Sequence, residues 1–134
     1  MKINWSAVFT GFVVTLALGL ISGLIYAGSE TVGILGSWGV IGILGGLTAG
    51  YVVGGRIGSG AIHGGLATVL GSLVLLVIAA VTTLLFGGVV LSLGVLGFGA
   101  LILAFHAIPG ALGGALGSWL KDRRTAPEPV GTQA

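Results

Sequence analysis

Long apolar runs separated by short polar breaks make up most of the chain. The first break, at residues 28–31, reads Gly-Ser-Glu-Thr, and the second, at residues 54–60, reads Gly-Gly-Arg-Ile-Gly-Ser-Gly. Two glycines at positions 87 and 88 form a third break. An apolar run of about 18 residues or more is long enough to cross a membrane as a helix. The pattern therefore predicts three transmembrane helices, over about residues 5–27, 32–53 and 61–86.

The last apolar stretch, residues 89–120, is too long for one upright span. As a single helix it would measure about 48 Å, against a hydrocarbon core of about 30 Å. We expect the fourth span over residues 97–120 and an apolar connection over residues 89–96, at the interface or dipping into the membrane. The alternative is that residues 89–96 are part of the fourth span. The predicted fold is all-α, a polytopic membrane protein with a four-helix transmembrane domain at residues 1–120. Residues 121–134 are predicted to form a flexible cytoplasmic tail.

Charge supports this class and predicts an orientation. Only 6% of the residues are charged, against about 25% in soluble domains. Four spans place Glu30 on one side of the membrane and all five basic residues on the other. The positive-inside rule then puts both termini in the cytoplasm, with the protein in the plasma membrane. A cleaved signal peptide within the first thirty residues is a weaker alternative, because its apolar core would be unusually long. The basic residues are Lys2, Arg56, Lys121, Arg123 and Arg124.

Small residues recur every four positions in each predicted span, which places them on one face of each helix. Lipid offers no hydrophobic drive for helix association, so close backbone contact through small residues supplies the attraction. We expect such contacts within the chain. Because Gly45 and Gly46 are adjacent, as are Gly113 and Gly114, we also expect contacts with a second copy in a homo-oligomer. The predicted packing positions are Gly11, Gly19, Gly23, Gly42, Gly46, Gly50, Gly54, Gly64, Gly110 and Gly114.

The spacing of small residues also indicates a tandem repeat of two hairpins. Residues 10–19 match residues 63–72, and residues 46–56 match the stretch that begins at residue 110. Both hairpins would start on the same side of the membrane, as in a parallel repeat. Chance similarity between glycine-rich helices is the alternative.

These segments resemble a family of small four-span haloarchaeal membrane proteins of unknown function. The resemblance rests on the opening INWSAVFTGFVVTLALGLISG, on GGLTAGYVVGG, on HGGLATVLG and on the closing GGALGSWL. It implies an archaeal plasma membrane, and it supplies no activity and no catalytic residue.

Three polar residues are the candidates for function. His106 lies within the fourth span, where an ionisable group is a functional hypothesis by default. Pro109 kinks the same helix and frees a carbonyl, as in the broken helices of transporters. Against this, a neutral imidazole commonly bonds across a helix interface. His63, at the cytoplasmic start of the third span, is expected to bond a carbonyl or a lipid headgroup. Glu30 has no partner acid.

The sequence therefore predicts a non-enzymatic integral membrane protein with a structural or accessory role. It contains no cysteine, no pair of carboxylates suited to acid–base catalysis and no phosphate-binding loop. We expect no catalytic residue, metal site or cofactor. The expected partners are membrane lipids, a second copy of the chain and an unidentified membrane protein, and five basic residues are too few for nucleic acid. The alternative is a small pore or transporter organised around His106 and Pro109.

Overall fold

A computed structural model describes residues 2–25 and 31–125, with the side chains of residues 31–36 outside the description. The described chain forms three helices and contains no strand: α1 (Trp5–Ile25), α2 (Thr31–Val53) and α3 (Ile57–Thr125). Within these residues, α1 and α3 are each long and apolar enough to cross a membrane. The predicted break at residues 28–31 and Glu30 lie outside the described residues, except for Thr31, which begins α2.

Local capping sets the start of α1 and the link from α2 to α3. The Asn4 side chain accepts hydrogen bonds from the Ser6 and Ala7 amides at 3.1 and 3.3 Å, which is the role of an N-cap residue. Gly54 and Gly55 have φ angles of 61° and 74°, a conformation that ends α2 and favours glycine. Only residues 54–56 separate the two helices, so the predicted turn over residues 54–60 is too long.

The helix α3 reverses direction at Gly88. The backbone leaves helical geometry there, with φ 83° and ψ 175°, a combination that is essentially restricted to glycine. Residues 57–87 form a first arm and residues 89–125 a second arm, and the arms pack against each other as an antiparallel hairpin. The Ser92 hydroxyl donates to the Ala80 carbonyl at 2.9 Å and joins the arms near the turn.

The predicted apolar connection over residues 89–96 is wrong, because these residues are helical. A single glycine suffices to reverse the chain, so no longer linker is needed. The extra length of this stretch lies in regular helix that belongs to the second arm. The prediction correctly placed the break at positions 87 and 88, but not the start of the last helix.

The last helix also extends beyond the predicted boundary at Leu120. It continues to Thr125, whose hydroxyl donates to the Lys121 carbonyl at 3.1 Å. The Arg123 guanidinium lies 4.0 Å from the centre of the Trp119 ring. The first proline of the tail comes only at position 127, so nothing breaks the helix at Lys121. The remainder of the predicted flexible tail, residues 126–134, lies outside the described residues.

The four helical segments form two hairpins that lie side by side in parallel. Thr15 of α1 contacts Gly45 of α2 and, in the first arm, Gly71. Across the middle of the bundle, Gly46 meets Gly110 and Gly50 meets Gly114. Each of these two pairs is 64 residues apart, the offset at which the second half of the sequence repeat matches the first.

Small side chains fill the interior, and large apolar side chains cover the outside. Ala7, Ala49 and Ala67 have no exposed surface, and Val8 retains 2%. In contrast, Phe86 remains 87% exposed. This distribution is unlike that of a monomeric soluble protein, which rarely exposes large apolar patches.

Candidate functional site

The two histidines lie in separate, buried positions between helical segments. His63 is fully buried at the start of the first arm. Its Nδ1 lies 2.7 Å from the Ser59 carbonyl, and its Nε2 accepts the Asn4 backbone amide at 2.8 Å. A carbonyl can only accept, so Nδ1 carries the proton and the ring is neutral in this arrangement. His63 therefore attaches the N-terminus of α1 to α3.

His106 lies in the second arm and is 8% exposed. Its Nε2–H donates to the Trp38 carbonyl of α2 at 2.9 Å, and the two rings are tilted by 36° with centres 5.9 Å apart. A Cβ added at Gly42 would lie 3.2 Å from the His106 ring and from Pro109. A side chain at position 42 would therefore crowd the imidazole.

A cavity of about 230 Å³ adjoins His106, between α2 and the two arms of α3. Most of its lining is apolar, and its polar side chains are Ser72, His106 and Trp38. Neither the Ser72 hydroxyl nor Nδ1 of His106 has a hydrogen-bond partner among the described residues. The sequence analysis did not single out Ser72 as a functional residue. Ser72 precedes His106 by 34 residues, and only the chain reversal at Gly88 brings the two residues to one cavity. The sequence alone therefore does not indicate that they belong to the same site.

Most of the glycines predicted to pack lie against another part of the chain. Added Cβ atoms would meet backbone of another helical segment at Gly11, Gly46, Gly50, Gly64 and Gly114. They would meet side chains at Gly19, Gly42, Gly54 and Gly110. Gly23 has nothing within 4 Å. Glycines outside the ten predicted packing positions also make such contacts: Gly45, Gly60, Gly71, Gly99, Gly113 and Gly117.

Adjacent glycines face different neighbours within the same chain. Gly45 faces Thr15 of α1, while Gly46 faces Gly110 of the second arm. Gly113 lies against the backbone of α2 and Gly114 against that of the first arm. A single chain thus uses both sides of these helices. The adjacency of glycines therefore no longer indicates a second copy.

Two polar contacts at the helix ends were not predicted from the sequence. The Lys121 ammonium donates to the Val52 carbonyl at 2.8 Å, and the Asp122 carboxylate accepts the Gly55 amide at 2.9 Å. A cation at the C-terminus of α2 pairs a carbonyl that the helix leaves free. The sequence predicts the charged segment after Leu120 only as part of a flexible tail. In the structure, Lys121 and Asp122 hold the α2–α3 link in place.

His63 and His106 bond backbone groups, and neither has a carboxylate partner in the described part of the chain. Within residues 2–25 and 31–125, no group of three or more His, Cys, Asp or Glu could hold a metal ion.

Comparison with known proteins gives one family match. The model of a family of unknown function, DUF5518, matches residues 5–120. No curated protein and no solved structure matches the chain.

Proposed function

Since the chain belongs to the DUF5518 family, whose function is unknown, we propose its role from its own contacts. The protein is a non-enzymatic integral membrane protein that crosses the membrane four times and has a structural or accessory role. The observation that carries this proposal is the direct backbone contact of Gly46 with Gly110 and of Gly50 with Gly114. Such close approach is how helices associate where the surroundings are as apolar as the side chains.

The hairpin at Gly88 supports four crossings. At a rise of 1.5 Å per residue, the arms of α3 are roughly 45 and 55 Å long. Each exceeds the hydrocarbon core of about 30 Å. With α1 and α2, the arms form four successive segments that alternate in direction, and large apolar side chains cover the outside of the bundle. Lys2, Arg56 and the basic residues after Leu120 lie at one end, which favours cytoplasmic termini. The membrane is an archaeal plasma membrane, as the resemblance implies.

Self-association of the protein is part of this proposal. A shallow groove between the arms of α3 contains small residues four positions apart, Ala61 with Gly65 and Ala107 with Ala111. The larger apolar residues Ile62, Leu66 and Val69 complete its lining. A Cβ at Gly65 would lie 3.5 Å or more from its neighbours, so the groove retains space. Small residues at this spacing allow a helix of a second copy to approach closely.

Single-residue substitution in the groove tests self-association without disturbing the bundle. Gly65→Leu fills the groove and should convert the oligomer to monomer in cross-linking and mass-photometry measurements. Gly94→Leu is the matched control, because Gly94 is helical and has nothing within 4 Å. Unchanged assembly in Gly65→Leu, with the same thermal stability as the wild type, would contradict association through this groove.

A second candidate function is a small pore or transporter at His106. The cavity beside the imidazole and the proline one turn away favour it. This function requires flux of an ion or solute across reconstituted vesicles that His106→Gln abolishes. Equal flux in empty vesicles and in vesicles with the protein would contradict a pore or transporter function. The structural role would then be the function that we retain.

A further inference from the structure

The cavity beside His106 has mostly apolar walls, and two of its lining residues, Ser72 and His106, each have a side-chain polar atom without a partner among the described residues. We propose that it binds a small apolar molecule with a single hydroxyl group, an alcohol or a phenol. The hydroxyl lies between Ser72 and His106, and the apolar part lies against Leu75, Val95 and Phe98. This inference concerns one protomer and does not depend on self-association.

The first argument is the unsatisfied hydroxyl of Ser72. Five hydroxyl side chains are buried among the described residues. Four of them donate to backbone carbonyls at 2.8 to 3.0 Å, and Ser72 alone has no partner. Its residue is 9% exposed and lines the cavity. Because no buried side-chain N or O atom of the described residues lacks a partner, the Ser72 oxygen is accessible from the cavity. A ligand hydroxyl that reaches it in these apolar surroundings gains a hydrogen bond.

The second argument is the orientation of His106. In the neutral form of His106, the single ring proton is on Nε2, which donates to the Trp38 carbonyl, so Nδ1 carries a lone pair and can only accept. Thr68 contacts Gly110 across the arms. The two arms are antiparallel, so four residues further along the first arm pair with four residues back along the second. This register places Ser72 opposite His106. Both residues line the cavity, so together they offer one acceptor and one hydroxyl that can donate.

These two groups select the chemistry of the ligand. A ligand hydroxyl donates to Nδ1 of His106 while it accepts from Ser72. A ketone oxygen can only accept and would leave Nδ1 unpaired. A bridging water could pair both atoms, but it takes up only about 30 Å³ of liquid volume, far less than the apolar cavity of about 230 Å³.

Trp38 provides a reporter, since its ring lines the cavity and lies against His106. The chain has three tryptophans, so Trp5→Phe with Trp119→Phe leaves Trp38 alone. We would titrate this protein in nanodiscs with 4-bromophenol, whose heavy atom quenches indole fluorescence. A comparison titration uses 4-bromotoluene, which has a similar shape and no hydroxyl. We expect saturable quenching by 4-bromophenol.

Ser72→Ala is the decisive variant, because it removes the hydroxyl and breaks no hydrogen bond of the protein. It should weaken 4-bromophenol binding roughly fivefold, the equivalent of one neutral hydrogen bond, and leave 4-bromotoluene unaffected. Thr82→Ala, the matched control, removes an exposed hydroxyl on the same arm that bonds only its own helix. Val95→Phe fills the cavity and should remove saturation with both probes.

Two outcomes would overturn the proposal. Quenching that rises linearly with 4-bromophenol and never saturates would mean partitioning into lipid, with water alone in the cavity. Saturable quenching that is equal in the Ser72→Ala protein and in the single-tryptophan parent would mean that the hydroxyl site does not exist. Circular dichroism and the melting temperature verify that each variant folds.

Discussion

His106 and Gly42 occupy equivalent positions in the two hairpins, 64 residues apart, and they contact each other. The next two pairs along the bundle, Gly46 with Gly110 and Gly50 with Gly114, consist of glycines only. The imidazole therefore takes the place of a glycine in this series, and the missing side chain at position 42 gives it room. The sequence predicted a neutral His106 bonded between helices. It could not identify the partner, because the Trp38 carbonyl is a backbone group without a sequence signal.

Substitution of His106 tests the contribution of its bond to Trp38. His106→Leu should lower the free energy of unfolding by about 0.6 kcal/mol, the average for one hydrogen bond between membrane helices. His106→Gln keeps a donor and should lie closer to the wild type. Reversible unfolding in mixed micelles gives both values. Equal losses in the two variants would show that packing of the ring, not its hydrogen bond, is what matters.

The sequence predicted the chain break within the α3 hairpin but not the helix that follows it. The glycines at 87 and 88 correctly indicated a break. Helix over residues 89–96 was not predicted, because one residue with positive φ can reverse a helix without a linker. A hydropathy pattern measures the length of an apolar run, and it does not report the backbone conformation at one glycine. The cavity and the groove depend on this reversal, so the sequence could not predict them either.

Gly88→Ala tests the reversal. At φ 83° and ψ 175°, a side chain should cost about 1–3 kcal/mol of stability. Gly94→Ala is the matched control, because Gly94 is helical with open space around it, and it should change stability by less than about 0.5 kcal/mol. Unfolding measurements on the two proteins give the comparison. Equal stability of both variants would mean that the hairpin does not need glycine at its turn.

Contacts between helices are tested by Gly46→Leu and Gly50→Leu. Each leucine would have to displace backbone of the second arm, so we expect a loss of 1–3 kcal/mol or more, the usual magnitude of overpacking. Thermal unfolding followed by circular dichroism measures it. Gly94→Leu provides the control for the added bulk. Wild-type stability in both the Gly46→Leu and the Gly50→Leu protein would show that close contact between α2 and the second arm does not stabilise the bundle.

At the scale of the whole molecule, the bundle accounts for most of its glycines within one chain. The sequence correctly predicted an all-helical protein and the first and last helices as long apolar segments. The adjacent glycines led us to expect an oligomer, but in the structure they face two different neighbours in the same protomer. Pattern alone does not show which neighbour each face meets, because the same spacing serves contacts within and between chains. The self-association that we propose therefore rests on the groove at Gly65.

In the proposed topology, four helical segments cross the membrane and both termini are in the cytoplasm. Cysteine labelling tests this topology, and the sequence contains no native cysteine to remove. Val90→Cys lies beside the Gly88 turn at a position that is 87% exposed, while Ser59→Cys and Thr125→Cys lie at the opposite end of the bundle. In intact cells, a membrane-impermeant maleimide should label Val90→Cys, and it should label the other two only after permeabilisation. Labelling of Ser59→Cys or Thr125→Cys in intact cells, with Val90→Cys protected, would contradict the proposed topology.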